Sequence, residues 1–162
     1  MIFEDLREFK QNVKIGKRIL GLDLGRKTIG VALSDRDKII ATPRFVIKRK
    51  NNEKDIETLY NFILENNIGG VVVGLPLNSK EKETKSSEFV RKFTKILDDK
   101  IRQKNNKIIM PIFYQNEYLT SFEAEDFLID TMSTKCEKTK QIVDKVAAHY
   151  ILQSILDKWN NI

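Results

Sequence analysis

Apolar and polar positions alternate with two different periods along this chain, and the change of period marks its elements. In the run RILGLDL, Arg18 to Leu24, Leu20, Leu22 and Leu24 fall on one side of a strand, and Ile19, Gly21 and Asp23 on the other. The turn Gly25-Arg26-Lys27-Thr28 leads to a second predicted strand, Ile29 to Ser34. Asp35 to Lys38 then turns into a third, from Ile39 to about Ile47. Connections this short suit antiparallel neighbours. The period then becomes helical: Ile56, Leu59, Tyr60, Ile63 and Leu64 predict a helix from about Glu53 to Asn66, closed by Asn66-Asn67 and Gly69-Gly70. Val71-Val72-Val73 is wholly apolar, as in a strand covered on both faces, and Gly74-Leu75-Pro76 ends it. A polar loop from Asn78 to about Thr84 precedes a helix carrying Phe89, Phe93 and Leu97, and Ile108 to Tyr114 is a fifth strand. A helix with Phe122, Ala124, Phe127 and Leu128 follows, then a last helix over about Lys140 to Lys158. At the start of the chain, Phe3, Leu6 and Phe9 have helical spacing and predict a short amphipathic helix within residues 1–12.

Three meandering strands followed by helix-linked strands predict an α/β fold. Its sheet is mixed and five-stranded, three strands antiparallel and then two parallel, flanked by helices. A chain of 162 residues fits one such domain. We place that domain at 17–162, with residues 1–16 as an N-terminal extension containing the short helix. The charge balance is basic, 29 Lys plus Arg against 23 Asp plus Glu, which points towards a polyanionic partner. Lysine predominates, and it suits contact with phosphates better than bidentate readout of bases. The one cysteine, Cys136, has no internal disulfide partner and no neighbouring base, so it reads as a free thiol in a reducing compartment. The opening Met1-Ile2-Phe3-Glu4-Asp5 is too acidic for a signal peptide, and no apolar run reaches the roughly 20 residues of a membrane span. A cytoplasmic protein without a membrane partner is expected.

Three acidic residues stand at element ends: Asp23 at the end of an apolar strand, Glu117 just past another, and Asp144 in the first turns of the last helix. Each has an ordinary reading by itself, as a turn former or as an acid favoured near a helix start. Together they suggest more. Open α/β sheets bind ligands at the carboxyl ends of their strands, and carboxylates gathered there need a counter-charge. Hard oxygen ligands suit Mg²⁺ or Mn²⁺, and two such ions can act on both sides of a phosphodiester. Spacing alone does not show that the three converge. Ala147 and Ala148 lend support, because small residues let the last helix approach the sheet closely.

The run Leu20-Gly21-Leu22-Asp23-Leu24-Gly25, continued by Ile29-Gly30-Val31-Ala32-Leu33-Ser34-Asp35, resembles the opening block of the YqgF family. Val72-Val73-Gly74-Leu75-Pro76-Leu77-Asn78 resembles its second block, Asn116-Glu117-Tyr118-Leu119-Thr120-Ser121 falls where its third lies, and Val143-Asp144-Lys145-Val146-Ala147-Ala148 resembles its C-terminal block. The four occur in order and span the chain from about residue 18. The family comprises ribonuclease H-like proteins, described as Holliday junction resolvases and as pre-16S rRNA processing nucleases. The resemblance implies that Asp23, Glu117 and Asp144 form a catalytic and metal-binding triad for Mg²⁺ or Mn²⁺, two ions in all. Two positions depart from the family pattern: Asn116 replaces an Asp, and Tyr118 replaces an Arg whose bidentate pairing Tyr cannot imitate.

Arg26, Lys27 and Thr28, in the turn after Asp23, are candidates for phosphate contact, as are Asn78, Lys82 and Lys85 in and after the later polar loop, with Lys80 beside them. His149, five residues after Asp144 and off its helical face, reads first as a structural histidine. The leading expectation is a metal-dependent nuclease that processes the 5′ end of pre-16S rRNA, with nucleic acid as partner and the ribosome as setting. A Holliday junction resolvase, a homodimer acting on branched DNA, is the alternative within the same chemistry; the RNA reading allows a monomer. A non-catalytic ribosome-assembly factor is the alternative outside it. The Asp-x-Gly opening also resembles the first phosphate loop of actin-like sugar kinases, but those need two such domains.

Overall fold

The computed structural model of this chain describes residues 1–77, 80, 82–105, 109–116 and 137–162, with side chains from 143 onward in the last stretch. Strand β1 is Ile2–Phe3 and helix α1 is Leu6–Asn12. The core strands β2 (Arg18–Leu24), β3 (Thr28–Ser34) and β4 (Ala41–Lys48) follow, then α2 (Asn52–Glu65), β5 (Ile68–Leu75), α3 (Lys85–Lys104), β6 (Ile112–Asn116) and α4 (Glu137–Trp159). The predicted helix around Phe122 to Leu128 lies outside the described residues, as does Cys136.

The sheet is mixed as expected, but it has six strands in the order β1-β6-β5-β2-β3-β4. The extra strand is β1, which pairs parallel with β6 through Ile2–Ile112 and Phe3–Phe113. Phe3 is therefore a strand residue and not part of the first helix, which starts after its N-cap Asp5; the Asp5 carboxylate accepts the amides of Arg7 and Glu8. The third predicted strand starts two residues later than expected. The Asp35 carboxylate accepts the amides of Ile39 and Ile40 at 2.7 and 3.0 Å, and Lys38 adopts φ 58°, so these residues close a turn. The last strand begins at Ile112, after Pro111, whose carbonyl accepts the Val71 amide.

One face of the sheet, with Leu20, Leu22, Val31, Val71 and Val73, packs against Ile56, Leu59 and Ile63 of α2 and Phe93, Leu97 and Ile101 of α3. The other face, with Ile19, Ala32, Val72 and Phe113, packs against Ala148, Ile151, Leu152 and Ile155 of α4. Phe9 of α1 joins this second layer, fully buried with ring centroids 5.6 Å from Phe113 and 5.9 Å from Trp159. Residues 1–16 thus contribute an edge strand and a packed helix. Among the described residues, no helix is long and apolar enough to cross a membrane.

The end of α2 shows how local chemistry fixes a connection. Asn67 adopts φ 56°, the left-handed region in which Asn is the best tolerated residue after Gly, and its carbonyl accepts the Arg18 amide at the start of β2. Asn67→Ala is expected to cost about 1 kcal/mol, a fall in Tm of about 3 °C, while Asn67→Gly stays close to wild type. Thermal melts of the two variants check this; equal losses would show that the Lys17 contact to the Asn67 side chain, and not the backbone, matters.

Candidate active site at the carboxyl edge of the sheet

Strands β2, β5 and β6 run parallel, so their carboxyl ends share one edge of the sheet. Antiparallel β3 begins at that edge and β4 ends there. The N-termini of α2 and α3 follow β4 and β5 on the same side. Asp23, one residue before the end of β2, lies in this edge and is paired in register with Gly30 of β3.

What lies over Gly30 decides the site. A Cβ on Gly30 would sit 2.1 Å from the Asp144 carbonyl oxygen and 3.3 Å from the Ala148 Cβ. On Gly21 it would sit 2.7 Å from the Leu152 Cβ and 3.1 Å from the Ala148 carbonyl. Helix α4 therefore lies directly on the sheet, in a trough made by two missing side chains, and Ala148 is fully buried there. Further along, the Gln153 side chain bonds Ile39 and Ala41, and His149 Nδ1 lies 3.0 Å from the Ala41 carbonyl. These contacts pin the helix to the start of β4.

This approach brings Asp144 beside Asp23. Burial, and next the charge of Asp144, push the Asp23 carboxyl up to about 6, so Asp23 resists ionising. The Asp144 Oδ2 is buried and has no hydrogen-bond partner among the described residues. An orphaned carboxylate oxygen beside a second carboxylate is costly unless a cation completes it. The donor set, all hard oxygen, fits Mg²⁺ or Mn²⁺. Among the described residues, no group of three or more His, Cys, Asp or Glu is gathered that could hold a metal ion. Glu117, the expected third member, follows the last residue of β6 and lies outside the described residues, as does Tyr118.

The basic turn after Asp23 is closed by the Gly25 amide, which donates to the Thr28 carbonyl at 2.9 Å. Arg26 and Lys27 are exposed at its tip, and Thr28, half-buried, starts β3. Lys80, Lys82 and Lys85 are exposed near the carboxyl end of β5. Lys85 opens α3 behind the capping box of Thr84 and Ser87, both of which bond the Pro76 carbonyl. Lys82 and Lys85 thus share the carboxyl edge with Asp23, whereas Asn78 lies outside the described residues.

Sequence reasoning missed Arg49, which follows β4. Its side chain is nine-tenths buried and its guanidinium meets three segments at once: Asp55 at 3.1 Å and Asn52 at 2.6 Å in α2, the Gly25 carbonyl at 3.3 Å, and the Phe89 and Phe93 rings of α3 at 4.8 and 5.0 Å. A single arginine before a helix cap carries no sequence signal for such a role.

A sequence model of the RuvX family, described as Holliday junction resolvase, matches residues 17–158. The chain is 37% identical over 166 residues to a protein of Wolbachia sp. subsp. Drosophila simulans named "Putative pre-16S rRNA nuclease", covering all of this chain and 99% of that one. It is 38% identical over 144 residues to a protein of the same name from Caldanaerobacter subterraneus subsp. tengcongensis, covering 89% of this chain and 99% of that one. Among solved structures, the fold is similar to Thermus thermophilus RuvC in complex with a Holliday junction substrate. The TM-score is 0.54 at 8% identity, over 89% of this chain and 96% of that one. It is also similar to the yeast mitochondrial resolvase Ydc2, with a TM-score of 0.50 at 13% identity, over 96% and 87%. At such identities these two establish the shared fold, the ribonuclease H-like α/β architecture, and nothing finer.

Proposed function

This chain belongs to the RuvX family, and from that premise we propose that it is a metal-dependent nuclease that hydrolyses phosphodiester bonds in pre-16S rRNA, trimming the 5′ end during ribosome biogenesis in the cytoplasm. The observation that carries this reading is the Asp23–Asp144 pair, two neighbouring carboxylates with one buried oxygen unpartnered among the described residues. Asp23 and Asp144 are the residues to hold the divalent ion or ions, with Glu117 as the third ligand by its place after β6. A cation bound there supplies Lewis-acid polarisation of a phosphodiester and offsets the negative charge that develops during its cleavage. The carboxylates hold their positions because α4 is locked against Gly21 and Gly30. Exposed Arg26, Lys27, Lys82 and Lys85 attract the nucleic-acid backbone to the same edge. The catalytic unit is residues 17–162, and residues 1–16 serve packing.

The names of the relatives favour RNA, whereas the family description favours a branched DNA junction. The two substrates separate the readings. Precursor rRNA and a four-way junction are offered side by side to wild type and to Asp144→Asn, with and without Mg²⁺. Wild type is expected to cut the rRNA in Mg²⁺ only, and Asp144→Asn to cut neither while still shifting RNA in a gel. Cleavage of the junction alone would replace the rRNA reading by a resolvase, acting as a homodimer because two strands must be cut. RNA binding without metal binding or cleavage would replace it by an assembly factor.

A further inference from the structure

We infer that Arg49 is a positioning residue for substrate: it clamps the basic turn after Asp23 so that Lys27 is presented to a backbone phosphate next to the carboxylate pair. The inference rests on the nuclease reading proposed above and adds to it a residue that is itself turned away from solvent.

Two of the turn's carbonyls point at Arg49. The Gly25 carbonyl accepts from the guanidinium Nη1 at 3.3 Å, and the Lys27 carbonyl accepts from the Arg49 backbone amide at 2.9 Å. The turn's inner bond, Gly25 amide to Thr28 carbonyl, closes the loop that these contacts hold from outside. With these two carbonyls bound inward, the turn leaves Arg26 and Lys27 exposed at its tip, three and four residues after Asp23.

The guanidinium is itself rigidly placed. Asp55, only 2% exposed, pairs with Nε at 3.1 Å and also accepts the Lys50 amide, while Nη2 bonds the Asn52 side chain. Its Cζ lies over the rings of Phe89 and Phe93 of α3, a cation–π contact with each. The fork thus ties the end of β4 and the starts of α2 and α3 to the turn after β2. A planar group with five donors can serve several partners in fixed directions at once; an ammonium on a flexible stem cannot. The salt bridge to Asp55 explains why a cation sits here. It does not explain why one arm of that cation reaches the carbonyl of Gly25.

Arg49→Lys keeps a positive charge for Asp55 and loses the fork, so it is the informative variant; an apolar residue would strand Asp55 and risk the fold. The experiment is a double-mutant cycle of Arg49→Lys and Lys27→Ala, read by equilibrium binding of precursor rRNA and of a four-way junction across a salt series. Amide hydrogen exchange at Gly25 is measured on the same proteins. Each single variant is expected to bind about five- to tenfold more weakly, with a salt slope smaller by about one phosphate contact. The double variant is expected to bind no worse than either alone, because Lys27 no longer reaches its phosphate once the turn is released. Exchange at the Gly25 amide should quicken about tenfold in Arg49→Lys while the amides of β2 stay protected. Losses that multiply in the double variant, or unchanged Gly25 exchange, overturn the clamp. Wild type that binds neither nucleic acid overturns the nuclease reading and the phosphate role with it, and is distinguished from a failed clamp by that alone.

Discussion

Asp23→Asn is expected to abolish metal-stimulated cleavage and, at the same time, to make the metal-free protein more stable. The two effects have one cause. With no cation present, Asp23 must ionise at neutral pH inside a poorly solvated edge and beside Asp144, which is why its carboxyl is pushed up to about 6. Relative to an ordinary Asp near 3.8 in the unfolded chain, this costs up to about 3 kcal/mol at pH 7 and above. Asn carries no charge to desolvate, and its amide offers a donor to the neighbouring carboxylate. In EDTA at pH 7.5 the variant should therefore melt higher than wild type, by about 5–10 °C if the whole cost is recovered. As the proposed metal ligand, Asp23 should on removal lower the cleavage rate by more than about 100-fold, beyond what loss of an outer-shell partner costs. Mg²⁺ should raise the Tm of wild type and leave that of Asp23→Asn nearly unchanged.

The pH dependence gives this expectation a second check, with a definite sign. Between about pH 4 and 6 the folded protein holds a proton on Asp23 that the unfolded chain has lost. Stability from this group is therefore complete below the unfolded value and is lost as pH rises through about 6. Asp23→Asn lacks that loss. The gap between variant and wild type should be near zero at pH 4 and reach its full size above pH 6, in EDTA and not in saturating Mg²⁺. A variant less stable than wild type at pH 7.5 in EDTA would mean that Asp23 is held by partners that favour its charge, and the case for a cation there would collapse.

Some of this was open to reading from residue order and some was not, for physical reasons. The alternation in Arg18–Leu24 and the apolar run at Val71–Val73 report burial directly, so β2, β3 and β5 stand close to where periodicity puts them. Strand β1 is two residues long and exists only because β6 offers a free edge, so it carries no period of its own. The start of β4 was misplaced because the Asp35 carboxylate and the left-handed Lys38 close a turn that apolar Ile39 and Ile40 conceal. Within the site, Asp23 and Asp144 were legible as residue types at element ends. Their meeting was implied by the family resemblance but not by spacing, because it depends on side chains that are absent, at Gly21 and Gly30, on strands apart from the helix they admit. Ala148 was the visible half of that contact. Arg49 was hidden for the opposite reason: its role lies in partners brought from three separate segments.

That dependence on missing side chains makes Gly30→Ala the most damaging small substitution expected in this chain. The added methyl would sit 2.1 Å from the Asp144 carbonyl oxygen and 2.8 Å from its carbon. Both are backbone atoms of α4, so no side-chain rotation relieves the clash. The helix must lift by about 1 Å to restore contact distance, and it carries Asp144 with it. Overpacking of this kind costs about 1–3 kcal/mol, a fall in Tm of about 3–10 °C. A displacement of that size also costs about 100-fold in rate when it separates groups that must act together. Gly21→Ala separates the two consequences. Its methyl meets Leu152 and Ala148, one to two turns further along α4. It should therefore destabilise comparably while disturbing the carboxylate pair less. Rates measured well below each melting temperature, with Mg²⁺ saturating, compare the two. Gly30→Ala is expected to be folded and nearly inactive, and Gly21→Ala folded and partly active. A fully active Gly30→Ala would show that the carboxylates tolerate a helix standing off the sheet, so that something other than this close approach sets their geometry.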